Sequence, residues 1–244
     1  KLIWARGATP ITNIDADLYW NNDAFTASFL TGRIDDIALQ RGRIVIEPVL
    51  DDIQKNAMIS LNAKGAASTA MDLARQAGLS QYGSFDFSKI KAGGEVEFSL
   101  EAALPLGKSV PLANRIQKLD ATISNGSFRN LPNQMNVDDA ELVMDISNDN
   151  SQITGTATVY GAPSEFSVEI DHQKRHVELV GQTPPSALLA SAIAEIFDLD
   201  IAGSIGGKIV YSGDPSMGEA KVGITVDLGS TSINVPKLNW AKLP

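Results

Sequence analysis

The chain of 244 residues contains no cysteine. A chain without thiols cannot form disulfide bonds, and this absence fits a bacterial periplasm slightly better than a small secreted eukaryotic domain. Aromatic residues are also scarce, at 6% of the chain, while alanine, isoleucine, leucine and valine are abundant. The composition therefore predicts thin aliphatic layers in the core instead of a few large aromatic anchors.

Positive charge is the second shortage. The chain has 20 lysines and arginines against 29 acidic residues, which gives a formal net charge of −9. Binding to nucleic acid needs clustered basic residues that displace counterions from phosphates. The basic cluster that the sequence offers is Lys174 and Arg175, flanked by His172 and His176. We therefore expect no nucleic-acid partner, and we expect repulsion from anionic membrane surfaces.

Long hydrophobic runs are missing as well. A helix needs roughly 20 apolar residues to cross a bilayer, and the longest apolar segment, Ala187 to Phe197, is shorter and contains Glu195. The sequence begins at Lys1 without a recognisable signal peptide, so we interpret it as a fragment of a larger protein. Membrane contact is then expected only through parts of the protein outside this sequence.

Most of the chain alternates apolar and polar residues with a period of two, which is typical of half-buried strands. The clearest pattern runs from Glu95 to Leu104, and similar patterns cover 140–146, 165–171 and 221–228. Turn signals separate these segments at the spacing of hairpins: Arg41-Gly42, Asn125-Gly126, 148–150, 160–163 and 212–215. The sequence therefore predicts an antiparallel β meander.

Two segments have the pattern of helices. The first is predicted from Ser68, as N-cap, to Gly78. The second is predicted from Pro185 to Phe197, with prolines 184 and 185 in its first turn. Its apolar stripe consists of Leu189, Ala192, Ile193, Ile196 and Phe197.

The two predicted helices occupy matching positions, about 115 residues apart, in two degenerate repeats. We predict a first repeat over 1–118, a second over 119–244, and the start of a third near Thr225, all in one extended unit. The predicted fold is mostly β: an elongated, strongly curved antiparallel sheet, or β-taco, that forms a groove. The two short helices would pack on its concave face or cap its ends.

Two stretches carry a family resemblance. The Gly-bearing strand that ends in 103–106 (ALPL) and the closing stretch 224–242 (ITVDLGSTSINVPKLNWAK) resemble the AsmA-like proteins of Gram-negative envelopes. The likeness is to the YhdP-type domain, which is related to TamB and to bridge-like lipid transfer proteins. Asn239 departs from the pattern, where glycine is more usual. The resemblance spans most of the chain, and 227–242 is its most specific part.

The resemblance implies a periplasmic segment of an inner-membrane-anchored protein that serves phospholipid transport and outer-membrane homeostasis. Acyl chains would lie in a hydrophobic trough while the headgroups stay in water, without catalytic residues or a cofactor. From the alternation, we expect the trough to be lined by Val96, Phe98, Leu100, Leu142, Met144, Ile146, Phe166, Val168, Ile170, Val222, Ile224 and Val226.

Other residue patterns favour ordinary structural roles. The histidines at 172 and 176 have the spacing of a zinc pair on a helix, but they lie between two predicted strands, so we predict a solvated turn. The segment 203–208 (GSIGGK) is one residue short of a phosphate-binding loop, and we predict a re-entry into a strand. The paired acids at 35–36, 51–52 and 138–139 are expected in turns or at edges, since neighbouring strand residues point to opposite faces.

Two alternatives remain open at this point. The first is a closed β-sandwich that acts as a scaffold or protein-interaction module of the cell envelope. The second is a hydrolase with an unrecognised site, which would need a cleft where a histidine meets a serine or a carboxylate.

Overall fold

The computed structural model describes residues 9–21, 24–46, 56–76, 81–82, 85–105, 116–131, 136–174, 176–197, 199–214, 219–229, 231–235 and 240–242. Strands account for 77% of these residues, so the protein is mostly β, as the alternation predicts. The strands form one large antiparallel sheet and two small ones.

The large sheet has twelve strands in the order β1-β2-β3-β4-β7-β8-β9-β10-β11-β12-β14-β15. Each strand pairs antiparallel with its neighbours, so the predicted meander is confirmed. Its strands are β1 (Thr12–Trp20), β2 (Phe25–Ile34), β3 (Ile37–Ile46), β4 (Asn56–Ala66), β7 (Lys91–Pro105), β8 (Ile116–Arg129), β9 (Val137–Ser147), β10 (Asn150–Val159), β11 (Ala162–Asp171), β12 (His176–Ser186), β14 (Ile205–Asp214) and β15 (Glu219–Asp227).

Two α-helices interrupt the meander. Helix α1 (Ala67–Gln76) connects β4 to β7, and helix α2 (Ala187–Phe197) connects β12 to β14. Because β4 and β12 run in the same direction, both helices lie at the same end of the large sheet, which we call the helix end. The matching positions predicted for the helices are therefore observed. The sheet continues through residue 118, which lies inside β8, and the division into two repeats stays a prediction.

The predicted starts of both helices are wrong by one or two residues. Pro184 and Pro185 belong to β12, where the pairing with β14 shifts between Thr183 and Ser186. Prolines fit there because they donate no backbone hydrogen bond to the sheet. The hydroxyl of Ser186 accepts a 3.3 Å bond from the backbone N–H of Leu189 and so caps α2.

Helix α1 follows β4 without any loop. It begins at Ala67, so Ser68 lies in its first turn instead of at the N-cap. Gly78, the predicted end, lies outside the described residues. Ala67 is 4% exposed and belongs to the core, which explains why the helix starts one residue early.

Two of the predicted turns are bulges inside strands. Gly42 lies within β3, next to a register shift between Leu39 and Arg41. Asn125 and Gly126 lie within β8 at another register shift, and Asn125 has φ 51°. A bulge absorbs the extra residue and lets the strand continue, so a turn-forming dipeptide need not end a strand. The turns at 148–149 and 160–161 are confirmed.

The two faces of the large sheet differ in character. We call the face that carries Val96, Phe98 and Leu100 of β7 the apolar face. The opposite, polar face carries Glu95, Glu97 and other exposed charged residues.

Helix α1 covers part of the apolar face. Ala67 packs in one core cluster with Val96 and Ile123, and Leu73 packs against a second cluster of Ile34, Ile37, Leu39 and Ala63. Ala70 contacts both clusters. The contacts of α1 join β3, β4 and β7 at the helix end, as expected for a helix that shields a sheet locally.

The remaining strands are short. β13 (Asp200–Gly203), β16 (Thr231–Val235) and β17 (Trp240–Lys242) form a three-stranded sheet, and β13 packs on α2. β5 (Gln81–Tyr82) and β6 (Phe85–Asp86) form a hairpin that precedes a 3₁₀ turn (Phe87–Lys89). A closed sandwich needs a second sheet comparable to the first, and the described residues do not form one. Among the same residues, no helix has the length and apolar character needed to span a bilayer.

Candidate functional site

The strand register places all twelve residues predicted to line a trough on the apolar face. Cross-strand partners in an antiparallel sheet share a face, so each row can be followed from strand to strand. The first row is Val96, Ile123, Leu142, Gly155, Phe166, Gly181, Ile209 and Ile224. The second is Phe98, Ala121, Met144, Ile153, Val168, Leu179, Tyr211 and Val222, and the third is Leu100, Leu119, Ile146, Ser151, Ile170, Val177, Gly213 and Ala220.

Val226, the last predicted lining residue, lies opposite Gly207 on the same face. The sequence pattern therefore brings its candidates together on one surface, eight strands wide from β7 to β15.

Burial on the apolar face is uneven: the small residues Ala102 and Ser151, away from α1, are 1% and 5% exposed, whereas larger side chains vary widely. Val96 and Leu142 are 5% and 8% exposed, in the cluster beneath the helix. Phe98, Val168 and the described lining residues of β9 and β11 away from the helix are half-buried. At the far edge, Ile224 is 67% exposed. A face packed against a full second layer would be buried throughout, so this surface is only partly covered.

The strands between the predicted ones supply half of the face. Strand β10 contributes Ile153, Gly155 and Ala157, which alternate with threonines 154, 156 and 158 on the polar face. This period of two is present in the sequence, but the apolar members are mostly small, so the strand has little hydrophobic signal. In β8, the bulge at Ile123 to Gly126 interrupts the alternation.

Around Phe166 the apolar face has glycines on both neighbouring strands, so no side chains project from the backbone there. Its cross-strand partners are Gly155 on one side and Gly181 on the other. A Cβ atom on Gly155 would lie 2.1 Å from the carbonyl oxygen of Glu141, and one on Gly181 would lie 3.1 Å from Ile209. Backbone atoms of β9 beside Gly155 and the Ile209 side chain beside Gly181 therefore already occupy the space that larger residues would need.

The polar face carries surface ion pairs. The Lys118 ammonium lies 2.9 Å from the Asp120 carboxylate, and this hydrogen bond, with the charge of Asp120, raises the pKa of Lys118. Lys64 lies 3.6 Å from Glu95. A depression of about 440 Å³ is lined mainly by residues of this face: Gln40, Asn62, Glu97, Phe98, Ser99, Asp120, Ala121, Thr122, Val143, Met144 and Asp145. It was not predicted, and Phe98, Ala121 and Met144 of the apolar face also line it.

His172 lies in the turn between β11 and β12, as predicted, whereas His176 is the first residue of β12, and both side chains are half-buried instead of fully solvated. His172 Nε2 lies 2.7 Å from the Ser151 hydroxyl, and His176 Nε2 lies 3.1 Å from the Ser212 hydroxyl. Ser151 is only 5% exposed, which leaves its oxygen little access to a substrate. These contacts link the turn to β10 and β14.

The same turn is closed by Asp171. Its carboxylate accepts bonds from the Lys174 ammonium at 2.7 Å and from the Lys174 backbone N–H at 2.9 Å. The ammonium, followed by the backbone bond, lowers the pKa of Asp171, and Asp171 in turn raises the pKa of Lys174. In the described part of the chain, no three histidine or carboxylate side chains converge as a metal site would require.

Comparison of the chain with protein-family models, with curated proteins and with solved structures finds no match in any of the three. The AsmA-like resemblance therefore stays an expectation from the sequence. The function has to be inferred from the surface of the sheet itself.

Proposed function

We propose that the chain is a non-enzymatic segment of an AsmA-like envelope protein whose apolar face holds the acyl chains of phospholipids. In this proposal the segment lies in the periplasm, within a protein anchored in the inner membrane. It serves lipid transport between the inner and outer membranes, and so outer-membrane homeostasis. The lipid and the flanking parts of the chain would be its partners.

One observation carries the proposal: a wide, uncharged and mostly apolar surface lies on one face of an open sheet and is only partly covered. Rows of partners run from β7 to β15 without a charged residue on this face in the rows of Val96, Phe98 and Leu100. Exposed apolar surfaces of this extent mark sites of interaction with proteins, membranes or ligands.

The dimensions of the surface suit acyl chains. Neighbouring strands lie about 4.8 Å apart, so the seven intervals between β7 and β15 extend over roughly 34 Å. The hydrocarbon core of a bilayer, which contains two acyl chains end to end, is about 30 Å thick. The surface from β7 to β15 can therefore accommodate about two acyl chains, end to end, across the strands.

The chemistry of the surface suits a mobile ligand. Each buried methylene contributes about 0.8 kcal/mol to binding. An acyl chain that lies on half-buried Met144, Val168 and Leu179 would therefore be held firmly. Aliphatic side chains and glycines form a shallow surface without deep pockets. The bound acyl chain could therefore also slide along it. The opposite face, with its ion pairs, remains in water.

The Ser151 and His172 pair supports a structural role better than catalysis. A nucleophile must reach the reacting atom of its substrate, and Ser151 is nearly buried. A lipid-holding role needs only the apolar rows.

Mass spectrometry of lipids that remain on the purified chain tests the proposal. We expect phospholipid on the native protein, and at least about tenfold less on Val168→Glu, because a carboxylate on the apolar face must be desolvated beside acyl chains. Ser167→Glu is the matched control, since it adds the same charge one residue away on the polar face. It should retain lipid at the native level.

Circular dichroism of both variants shows whether the sheet is intact. Val168→Ser is a milder second variant and should give an intermediate loss of lipid. Native protein without lipid, or equal loss from the 167 and 168 variants, would contradict the proposal.

The open edge of β15 favours a second candidate function, that of a protein-interaction module of the envelope. In that case a protein, and not a lipid, would cover the exposed end of the apolar face.

A further inference from the structure

The last strand of the large sheet, β15, has a regular and open outer edge. It pairs with β14 over nine residues without a register shift, and no other described strand pairs with its outer side. Its described side chains, Lys221 and those from Gly223 to Asp227, are all exposed. Ile224 and Val226, at 67% and 46%, expose apolar surface beside this row of unpaired backbone groups.

The chain itself leaves this edge after Asp227. The next described strand, β16, pairs with β13 in the small sheet. The Thr231 hydroxyl donates a hydrogen bond to the Ser204 carbonyl, and the Lys242 ammonium donates to the carbonyls of Leu228 and Thr231. These bonds hold β16 and β17 beside the end of β15, and no described strand continues the sheet along the outer side of β15.

The opposite edge of the sheet is built differently. Strand β1 has two register shifts, between Thr12 and Asp15 and between Asp15 and Ala16, and Asn13 has φ 48°. Bulges on an edge strand hinder pairing with another chain. The two edges therefore differ, and β15 is the one that can accept a further strand.

We propose that β15 pairs antiparallel with β15 of a second copy of this chain, about a twofold axis at Ile224. In this register Lys221 lies opposite Asp227 of the other copy, Val222 opposite Val226, and Gly223 opposite Thr225. Opposite charges and β-branched pairs across strands both stabilise a sheet. An isologous twofold contact is also the commonest form of association between identical chains.

Two other registers fit less well. Centring the axis on Gly223 places Asp227 opposite Glu219, and like charges directly opposite each other are unfavourable. A shift by one residue would join the apolar face of one copy to the polar face of the other. The register at Ile224 keeps both apolar faces on the same side and pairs every charge from 221 to 227.

The pairing joins two twelve-stranded sheets and continues the apolar face across the axis. The contact depends on the edge strand alone and does not require lipid. Its test is therefore independent of the proposed lipid-binding role.

Cysteine cross-linking of the full chain tests the pairing, because the sequence has no cysteine of its own. Ile224→Cys should oxidise to a disulfide dimer, since residues on a twofold axis between antiparallel strands come within the Cα separation that a disulfide spans. Leu18→Cys is the matched control, as Leu18 is 69% exposed on the other edge strand. It should cross-link at least about tenfold more slowly, because it depends on chance collisions.

Sedimentation equilibrium of the native chain should approach twice the 26.0 kDa of one chain as concentration rises. Lys221→Asp and Asp227→Lys should each be monomeric alone, and an equimolar mixture should form a heterodimer in which both charge pairs are restored. Circular dichroism verifies that each variant is folded. Equal cross-linking of Leu18→Cys and Ile224→Cys would overturn the proposal, and so would cross-links that form only between residue 18 of one copy and residue 224 of another. The absence of a heterodimer in the mixture of the two charge variants would also overturn it.

Discussion

At the scale of single residues, the glycines of the apolar face determine how closely neighbouring strands and side chains approach. Gly155 lies close to the backbone of β9, where an added Cβ would lie 2.1 Å from the Glu141 carbonyl oxygen. The sequence shows that a glycine alternates with threonines here, but it does not show which backbone lies against it. That contact arises from the register of three strands.

Gly155→Ala should lower the free energy of unfolding by about 2 kcal/mol, because the new methyl group forces backbone atoms apart. Gly223→Ala is the matched control: it also adds one methyl group within a strand, but the nearest atom lies 4.0 Å from the new Cβ. Its effect should stay within about 0.5 kcal/mol. Urea unfolding of both variants measures the difference, and equal effects would contradict the described packing.

The turn between β11 and β12 gives a prediction about pH. The Lys174 ammonium lowers the pKa of Asp171, so Lys174→Gln should move that pKa back toward its ordinary value. A lowered carboxyl pKa stabilises the fold above the ordinary carboxyl range, and this contribution is lost as pH falls through the pKa of the folded state. The difference in thermal stability between native protein and variant should therefore shrink in acid.

Carboxyl carbon NMR during an acid titration measures the pKa of Asp171 directly. Lys64→Gln serves as control, because Lys64 pairs with Glu95 and Glu97 and not with Asp171. An Asp171 pKa that is unchanged in Lys174→Gln would show that the contact is not formed in solution.

At the scale of elements, the period-two alternation predicts strands β7, β9, β11 and β15, and the 3.6-residue period predicts both helices. The ends of the helices and strands are predicted less accurately, because tertiary contacts determine where each element begins and ends. Ala67 enters the core and starts α1 early, and a bulge in the ladder accommodates Pro184 and Pro185 in β12. Asn125 and Gly126 have the sequence of a turn, yet strand pairing on both sides keeps them within β8.

Helix α1 shields one end of the apolar face through Ala70, which contacts both core clusters. Ala70→Asp should lower the free energy of unfolding by about 2 kcal/mol, because a carboxylate between apolar side chains loses its hydration. Ser68→Asp, on the exposed side of the first turn, should change stability by no more than about 0.5 kcal/mol, since a negative charge there suits the helix dipole. Urea unfolding distinguishes the two, and a harmless Ala70→Asp would show that α1 does not cover the sheet.

At the scale of the whole molecule, the sequence predicts both the meander of the large sheet and the residues that share one of its faces. All twelve proposed lining residues lie on one face because an antiparallel meander keeps alternation in phase across neighbouring strands. The small sheet of β13, β16 and β17 was not predicted: its strands are only three to five residues long, and β13 pairs with β16 about 30 residues away. The unequal edges, bulged in β1 and regular in β15, also follow from register alone.

The central claim is that acyl chains lie on the apolar face, and site-specific photocross-linking tests it most directly. Benzoylphenylalanine is placed at residue 168 on the apolar face or at residue 167 on the polar face, and the purified protein is irradiated with phospholipid present. We predict that mass spectrometry finds a covalent phospholipid adduct at position 168 and none at 167. Adducts of equal yield at both positions, or none at 168 in folded protein, would contradict the account.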